Sequence, residues 1–267
     1  MGVDDVVREY WGRDDLEEVV FAALRRVGVD PDAVRVEDLA GLDQLHAGGV
    51  TATEHLLDSL ELTAEMTLLD VGSGVGGPAR HAAARHGCPV TGIDLSPDLV
   101  RLSRTLTDRV GLSAQVSFDV GSATELPYAD GSFARAMLNH VGMNIADKAC
   151  VFAEVRRVLQ LGGLFAVYEQ MRTGDGQFSY PLPWADDERS SFVETRDAYV
   201  DLLRAAGFTV RHDEDRLAAV TAAGPPEPGS LTQVDLFGPE FAVRMANNRA
   251  DALAGLLSPV LIVAAAG

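Results

Sequence analysis

The segment Leu68-Leu69-Asp70-Val71-Gly72-Ser73-Gly74-Val75-Gly76-Gly77 constrains this chain more than any other stretch. A short apolar run breaks into closely spaced glycines and then passes into a helical pattern, which reads as strand, tight turn and helix. Such a turn belongs at the carboxyl edge of a parallel sheet, where residues without a Cβ let a ligand approach the backbone. The rest of the chain must therefore supply more strands beside the first, and helices to cover them.

The pattern downstream supplies both. Apolar runs at 67–71, 89–93, 114–120, 133–138 and 164–168 alternate with helical stretches near 76–87, 97–110 and 147–159. Strands alternating with helices predict a doubly wound α/β fold, a mostly parallel sheet covered on both faces. A further helix near 195–206 leads into Phe208-Thr209-Val210, a sixth strand, and a last helix falls within 238–256. The β-branched segment Val260 to Ala264 is too short to span a bilayer and is expected to be a final, antiparallel strand at the sheet edge.

Before residue 66 the texture is helical throughout. Leu16, Val19, Val20, Ala23, Leu24 and Val27 recur at helical spacing, as do Leu56, Leu57 and Leu60, with Pro31 and Gly48-Gly49 as interruptions. Residues 1–65 are expected to form a cap of three or more short helices on a core of 66–267. Residues 171–190 lack periodicity and read as a long ordered loop inserted in that core, and 224–230, rich in proline and glycine, as a second loop.

Forty acidic residues against 22 basic ones repel polyanions and leave little counterion release on a phosphate backbone, so nucleic acid is not an expected partner. There is no basic-then-apolar leader and no apolar run long enough to cross a membrane, which makes a soluble cytoplasmic protein the simplest expectation. Neither the two cysteines, Cys88 and Cys150, nor His81, His86, Glu54-His55 and His212 have a spacing that assembles a metal site, and no metal is expected. The final helix and strand either complete the sheet edge or leave a surface for a second subunit, so a homodimer stays open.

By spacing alone, Gly72, Gly74 and Gly77 satisfy a dinucleotide fingerprint, and Asp94 ends the next strand twenty residues beyond Gly74, placed to hold ribose hydroxyls. The glycines leave open a nicotinamide cofactor, and hence an oxidoreductase. The ordered set of motifs is more specific. Asp70-x-Gly72-x-Gly74-x-Gly76, the segment Gly121-Ser122-Ala123-Thr124-Glu125-Leu126-Pro127, the segment Leu138 to Ile145 and the turn at Gly162-Gly163 together resemble the class I S-adenosylmethionine-dependent methyltransferases over about residues 66–170. The resemblance implies a small-molecule methyltransferase that binds S-adenosylmethionine and releases S-adenosylhomocysteine.

It also implies roles. Asp70 and the glycines would surround the methionine part, Asp94 the ribose hydroxyls, Leu95 the adenine, and Ser122 and Ala123 the adenine edge. Many relatives carry aspartate where Ser122 stands, so that hydrogen bond would be weaker. Asn139 and Met143 would line the methionine and the transferable methyl. A carboxylate beside the turn suits a ligand bearing a sulfonium and an ammonium and penalises a pyrophosphate.

Two outlying segments, Asp43-Gln44-Leu45-His46-Ala47-Gly48-Gly49 and Tyr180-Pro181-Leu182-Pro183-Trp184-Ala185, are similar to the branch containing sarcosine and dimethylglycine N-methyltransferases and many enzymes of specialised biosynthesis. By that analogy Gln44 and His46 close over the cofactor from the cap. Transfer from a sulfonium needs alignment and exclusion of water more than catalytic side chains. An amine arriving neutral needs no base, whereas a phenol, alcohol or acidic carbon does. His140, after the fourth strand, is the first candidate, followed by His46 and Glu169; each has a packing role as its alternative. Tyr180, Trp184 and Arg172 are candidates for the substrate wall, with loop packing and surface ion pairing as their alternatives. A protein of the same fold that binds the cofactor without transferring methyl, such as a cyclase, is also compatible with these residues.

Overall fold

The protein is described here by a computed structural model covering residues 2–222, 224 and 226–267. Four helices come first: α1 (Val3–Trp11), α2 (Leu16–Arg26), α3 (Val36–Asp43) and α4 (Gly49–Ser59). Strand and helix then alternate through β1 (Leu68–Val71), α5 (Gly77–His86), β2 (Val90–Asp94), α6 (Pro97–Arg109), β3 (Val116–Val120), β4 (Phe133–Asn139), α7 (Lys148–Val158), β5 (Leu159–Arg172), α8 (Arg196–Ala205) and β6 (Phe208–Asp215). The chain closes with α9 (Leu217–Ala222), α10 (Gln233–Phe237), α11 (Phe241–Leu253) and β7 (Leu257–Ala266). The 224–230 loop follows α9, with Pro225 outside the described residues.

Local chemistry explains the helix ends. Ser96 accepts the Leu99 N–H ahead of α6 and Pro97 opens it; Asp147 accepts from Cys150 at α7, and Thr195 accepts from Ala198 at α8. Gly87 ends α5 in the left-handed conformation and returns its N–H to Ala83.

The seven-stranded sheet runs β3-β2-β1-β4-β5-β7-β6. β3, β2, β1, β4 and β5 are parallel, with Val71 opposite Ile93 on one side and Leu138 on the other. The chain reverses strand order about β1, so the carboxyl ends of β1 and β4 flank the crevice where α/β sheets bind ligands. One face packs Val155, Phe152, Tyr199 and Leu203 against the sheet, and the other packs Leu56 and Leu57 of α4, and Leu60 just after it, with Ala79, Ala82 and Ala83 of α5. Leu16, Val20, Leu24, Leu39 and Leu42 of the N-terminal helices share a third cluster with Leu99, Leu102 and Leu106 of α6. Each such leucine contributes about 2 kcal/mol of burial.

Three expectations change. The antiparallel strand, β7, lies one place inside the edge, because it pairs with β5 on one side and β6 on the other. β5 runs through the Gly162-Gly163 turn and on to Arg172, since the long β7 extends the ladder as far as Arg172 opposite Leu257. The expected 171–190 loop thus starts at residue 173, and it continues to Thr195, which bridges back to Arg172. Finally, α9 and α10 were not legible: α9 buries no residue and α10 is five residues long, so neither displays a helical period. No helix among the described residues is long and apolar enough to cross a membrane.

Candidate active site

The turn after β1 is built from the backbone outward. Gly72 and Ser73 both donate to the Ile93 carbonyl, at 2.7 and 3.0 Å, which folds the chain sharply over the end of β2. Gly72 has φ +73°, and a Cβ there would lie 2.3 Å from a methyl of Val141, so the turn after β4 presses directly on the turn after β1. Gly77, at the start of α5, would meet the Asp43 carbonyl oxygen at 2.2 Å. Both positions therefore require glycine, one for conformation and contact, the other for contact alone.

Above these turns lies a cleft of about 1040 Å³, its open mouth included. Asp70, Gly72, Ser73 and Gly74 form its floor; Asp94, Leu95, Ser122 and Ala123 form one wall; Asn139, His140, Val141 and His46 form the other. Most of the residues expected at the cofactor thus line one cleft. Three do not. Gly76 packs on Phe118, Met143 on Trp184 and Leu182, and Gln44 bonds inward to Asp43 and Thr53. Glu169, expected as a candidate base, also lies outside the cleft lining and is fully buried.

The polar atoms of the cleft floor fit the methionine end of S-adenosylmethionine. Oδ2 of Asp70, Oγ of Ser73 and both side-chain polar atoms of Asn139 are sealed in the protein with no hydrogen-bond partner. Buried polar groups left unpaired are costly, and here they offer an acceptor for an ammonium and a donor for a carboxylate. Burial, and secondarily the charge of Asp94, push the Asp70 carboxyl up to about 7, with Arg80 opposing. A cation arriving beside it would favour ionisation. Asp94 accepts from Gly74 N at 2.8 Å and Ser96 N at 2.9 Å and keeps further lone pairs for ribose hydroxyls. Burial raises its carboxyl as well, against these backbone donors. Ser122 is partly spent within its own turn, at 2.8 Å from the Thr124 hydroxyl.

Arg80 was not legible as part of this site. It is fully buried, pairs with Asp43 at 2.9 Å, and donates to Thr107 Oγ1 and Ser103 O. Trp11 and Val7 of α1 also line the cleft, as do Asn144 and Ile145. Trp11 donates to Asn144 Oδ1, and Asn144 donates to Trp184 O at 2.7 Å, linking α1 to the long loop. Tyr10 adds a bond to Pro183 O at 2.9 Å.

The expected bases occupy different situations. His140, in the left-handed region at φ +56°, faces Tyr168 O with Nδ1 at 3.1 Å and receives the Ala47 N–H at Nε2 at 3.3 Å. A carbonyl only accepts, so Nδ1 carries the proton and the lone pair on Nε2 is already used. Burial, aided by His46, lowers His140 to about 3. Burial likewise lowers His46 to about 4, and both imidazoles are neutral near pH 7. Glu169 Oε1 accepts from Val141 N and Gly142 N, at 2.9 and 2.8 Å, which makes it a support for the turn carrying His140. Its neighbour Tyr168 points the other way, donating to Ala47 O, because successive strand residues face opposite sides.

The expected substrate wall is a packed cluster beside the cleft. Trp184 is buried with Leu182 and Met143 and donates to Ser191 Oγ; Tyr180 packs against it. Arg172 stacks over Phe178 at 4.0 Å and donates to Gly174 O and Gly176 O. None of the three lines the cleft. Among the described residues no group of histidine, cysteine and acidic side chains could hold a metal ion.

Residues 69–167 match the family model described as a methyltransferase domain. A curated relative, "Methyltransferase GfsG" from Streptomyces halstedii, is 37% identical over 130 residues, covering 49% of this chain and 47% of that protein. The chain spans about half the length, or less, of the curated relatives it matches. Among solved structures, geranyl diphosphate C-methyltransferase from Streptomyces coelicolor A3(2) superposes with TM-score 0.73 at 18% identity, covering 100% of this chain and 98% of that one. The [4+2]-cyclase SpnF superposes with TM-score 0.67 at 23% identity, covering 99% and 97%. The glycine turn that alone fitted two cofactors stands, in this company and with these residues around it, on the methyl-donor side: it lies within the stretch that matches a methyltransferase domain, in a chain with the Rossmann-like class I methyltransferase fold.

Proposed function

We propose that this protein transfers the methyl group of S-adenosylmethionine to a small molecule, as a cytoplasmic enzyme of small-metabolite biosynthesis. The observation that carries this reading is the unpaired, buried carboxylate oxygen of Asp70 at the floor of the cleft, beside the unpaired amide of Asn139. These groups would hold the ammonium and carboxylate of the methionine part, while Asp94 would take the ribose and Ser122 and Ala123 the adenine. When bound, the sulfonium supplies an electrophilic methyl with a good leaving group already attached. The protein then has to orient and enclose.

Enclosure comes from α1 and the segment after α3. Trp11 and Val7 cover the cleft, and the Asn144 bridge ties that cover to the long loop. We read residues 1–65 as a cap on the 66–267 core in this sense. His140 shapes the wall, because both its nitrogens are engaged. An acceptor of the sarcosine or dimethylglycine type would bring a carboxylate, and among the described residues no arginine or lysine lines the cleft to receive it.

Incubation with S-adenosylmethionine carrying an isotopic methyl, together with a pool of small metabolites, tests the reading. Label is expected in a low-mass product, with S-adenosylhomocysteine released in equal amount. A second reading follows from the likeness to the [4+2]-cyclase: the cofactor is bound and its methyl retained. Binding of S-adenosylmethionine with no labelled product from any pool would favour it.

A further inference from the structure

The hydrogen bonds around His46 determine which ring nitrogen holds the proton. Gln44 Nε2 donates to Asp43 Oδ1 at 3.1 Å, which orients the amide and leaves Oε1 as an acceptor. Thr53 Oγ1 lies 2.6 Å from that oxygen and so must spend its only proton there. His46 Nε2 lies 3.0 Å from Thr53 Oγ1 and 3.2 Å from Gly49 O. With the hydroxyl proton committed to Gln44 and a carbonyl on the other side, both neighbours of Nε2 can only accept. Nε2 is therefore protonated and Nδ1 holds a lone pair.

Nδ1 has no partner among the described residues, and it is absent from the atoms sealed away from solvent. His46 lines the cleft, so that accessible edge opens onto it. The contrast with His140, whose lone pair is taken by Ala47 N–H, is complete. Among the described residues the cleft walls carry the carboxylates Asp43, Asp70 and Asp94 and no arginine or lysine, while Trp11, Val7 and Ile145 supply apolar surface. Of the guanidinium groups beside the cleft, Arg80 is spent on Asp43, Thr107 and Ser103, and Arg8 donates to Leu95 O and pairs with Asp5. A phosphate or carboxylate on the acceptor would be desolvated there with no cationic side chain, among the described residues, lining the cleft to receive it.

We propose that His46 is the proton acceptor of this site and that its substrate is an uncharged molecule reacting through an O–H group that donates to Nδ1. Gln44 and Thr53 are positioning residues that fix the tautomer. In the step, the acceptor oxygen forms a bond to the methyl carbon, the sulfur–carbon bond breaks with its electron pair left on sulfur, and the O–H proton passes to Nδ1. The proton leaves as the oxygen loses electron density, so a neutral imidazole suffices.

The inference rests on the methyl-transfer reading, and one set of experiments separates their failures. Histidine ring ¹⁵N spectra of the full chain saturated with S-adenosylhomocysteine, with the His46 signals assigned by their loss in His46→Asn, report the tautomer directly. The expected result is a protonated Nε2 and an unprotonated Nδ1. Gln44→Leu frees the Thr53 hydroxyl to donate to Nε2 and is expected to move His46 toward the Nδ1–H form. Phenol or benzyl alcohol, added as probe, is expected to shift Nδ1 toward its hydrogen-bonded position, and phenyl phosphate to leave it unmoved. A proton on Nδ1 in the wild-type protein, an Nδ1 signal that neither probe moves, or an equal response to phenyl phosphate overturns the proposal. Failure of S-adenosylhomocysteine to bind by calorimetry overturns the methyl-transfer reading instead, whatever the tautomer.

Discussion

Arg80 of α5 and Asp43 of α3 form an ion pair at 2.9 Å with both side chains sealed from solvent. It joins the N-terminal helices to the sheet-bound helix at the place where Gly77 lets the two backbones touch. Asp43 also starts the chain of bonds through Gln44 and Thr53, so the pair sets the height of the cleft wall.

Removing one partner leaves an uncompensated buried charge. Arg80→Met is expected to cost about 3–5 kcal/mol by urea denaturation, and Arg80→Met with Asp43→Leu to recover most of that loss. A double variant as unstable as the single would show that the pair is not the relevant interaction.

Asp70 gives a pH signature with a definite sign. Its folded value near 7 lies above that of an unfolded aspartate, 3.8, so the stability it costs grows as pH rises from about 4 to about 7 and stays at its full extent above that. Asp70→Asn is therefore expected to stabilise the free protein, more at about pH 8 than at about pH 5, by thermal melting. A bound cation reverses the preference. S-adenosylmethionine should bind roughly tenfold more weakly at about pH 6 than at about pH 8, with proton release visible when calorimetry is repeated in buffers of different ionisation enthalpy.

Glu169 supports two backbone N–H groups rather than the reacting atoms. Glu169→Gln keeps an acceptor oxygen and is expected to retain most methyl transfer. Glu169→Ala leaves both donors unpaired and should lose about 2–4 kcal/mol of stability together with activity. Equal loss in the two variants would mean that the ionised carboxylate itself takes part.

Val141 and Gly72 are fitted to each other. Gly72→Ala is expected to abolish binding of S-adenosylhomocysteine, through both contact and the positive φ. Val141→Ala should restore part of it, since it removes the two methyl contacts at 2.3 and 2.4 Å but leaves the residue 141 Cβ at 2.9 Å and the backbone strain. Calorimetry on the three proteins measures this directly.

The part of this architecture written into local sequence was legible. The β1 turn, Asp70, Asp94 and the segments after β3 and β4 carry their own glycines, acids and periodicity, and the structure gathers them in one cleft. What local pattern could not show was which way a side chain points or what meets it from far along the chain. Glu169 and Tyr168 are adjacent in β5 and face opposite sides of the sheet. Arg80 sits in a helix whose arginines would ordinarily face water, and only Asp43, 37 residues earlier, explains its burial. Trp11 reaches Asn144 across 133 residues, with nothing in α1 to announce it. Trp184, Tyr180 and Arg172 stand in an aperiodic stretch, and their packing on Met143 and Phe178 emerges only once β5 and β7 are paired.

The central claim is that this cleft is built for a cationic methyl donor, and calorimetric titration of S-adenosylmethionine into the wild-type protein and into Asp70→Asn tests it most directly. The account predicts one site per chain in the wild type, a marked loss of affinity in Asp70→Asn, and no binding of NADH to either. Binding of NADH in place of S-adenosylmethionine, or affinity for S-adenosylmethionine unchanged by Asp70→Asn, would contradict it.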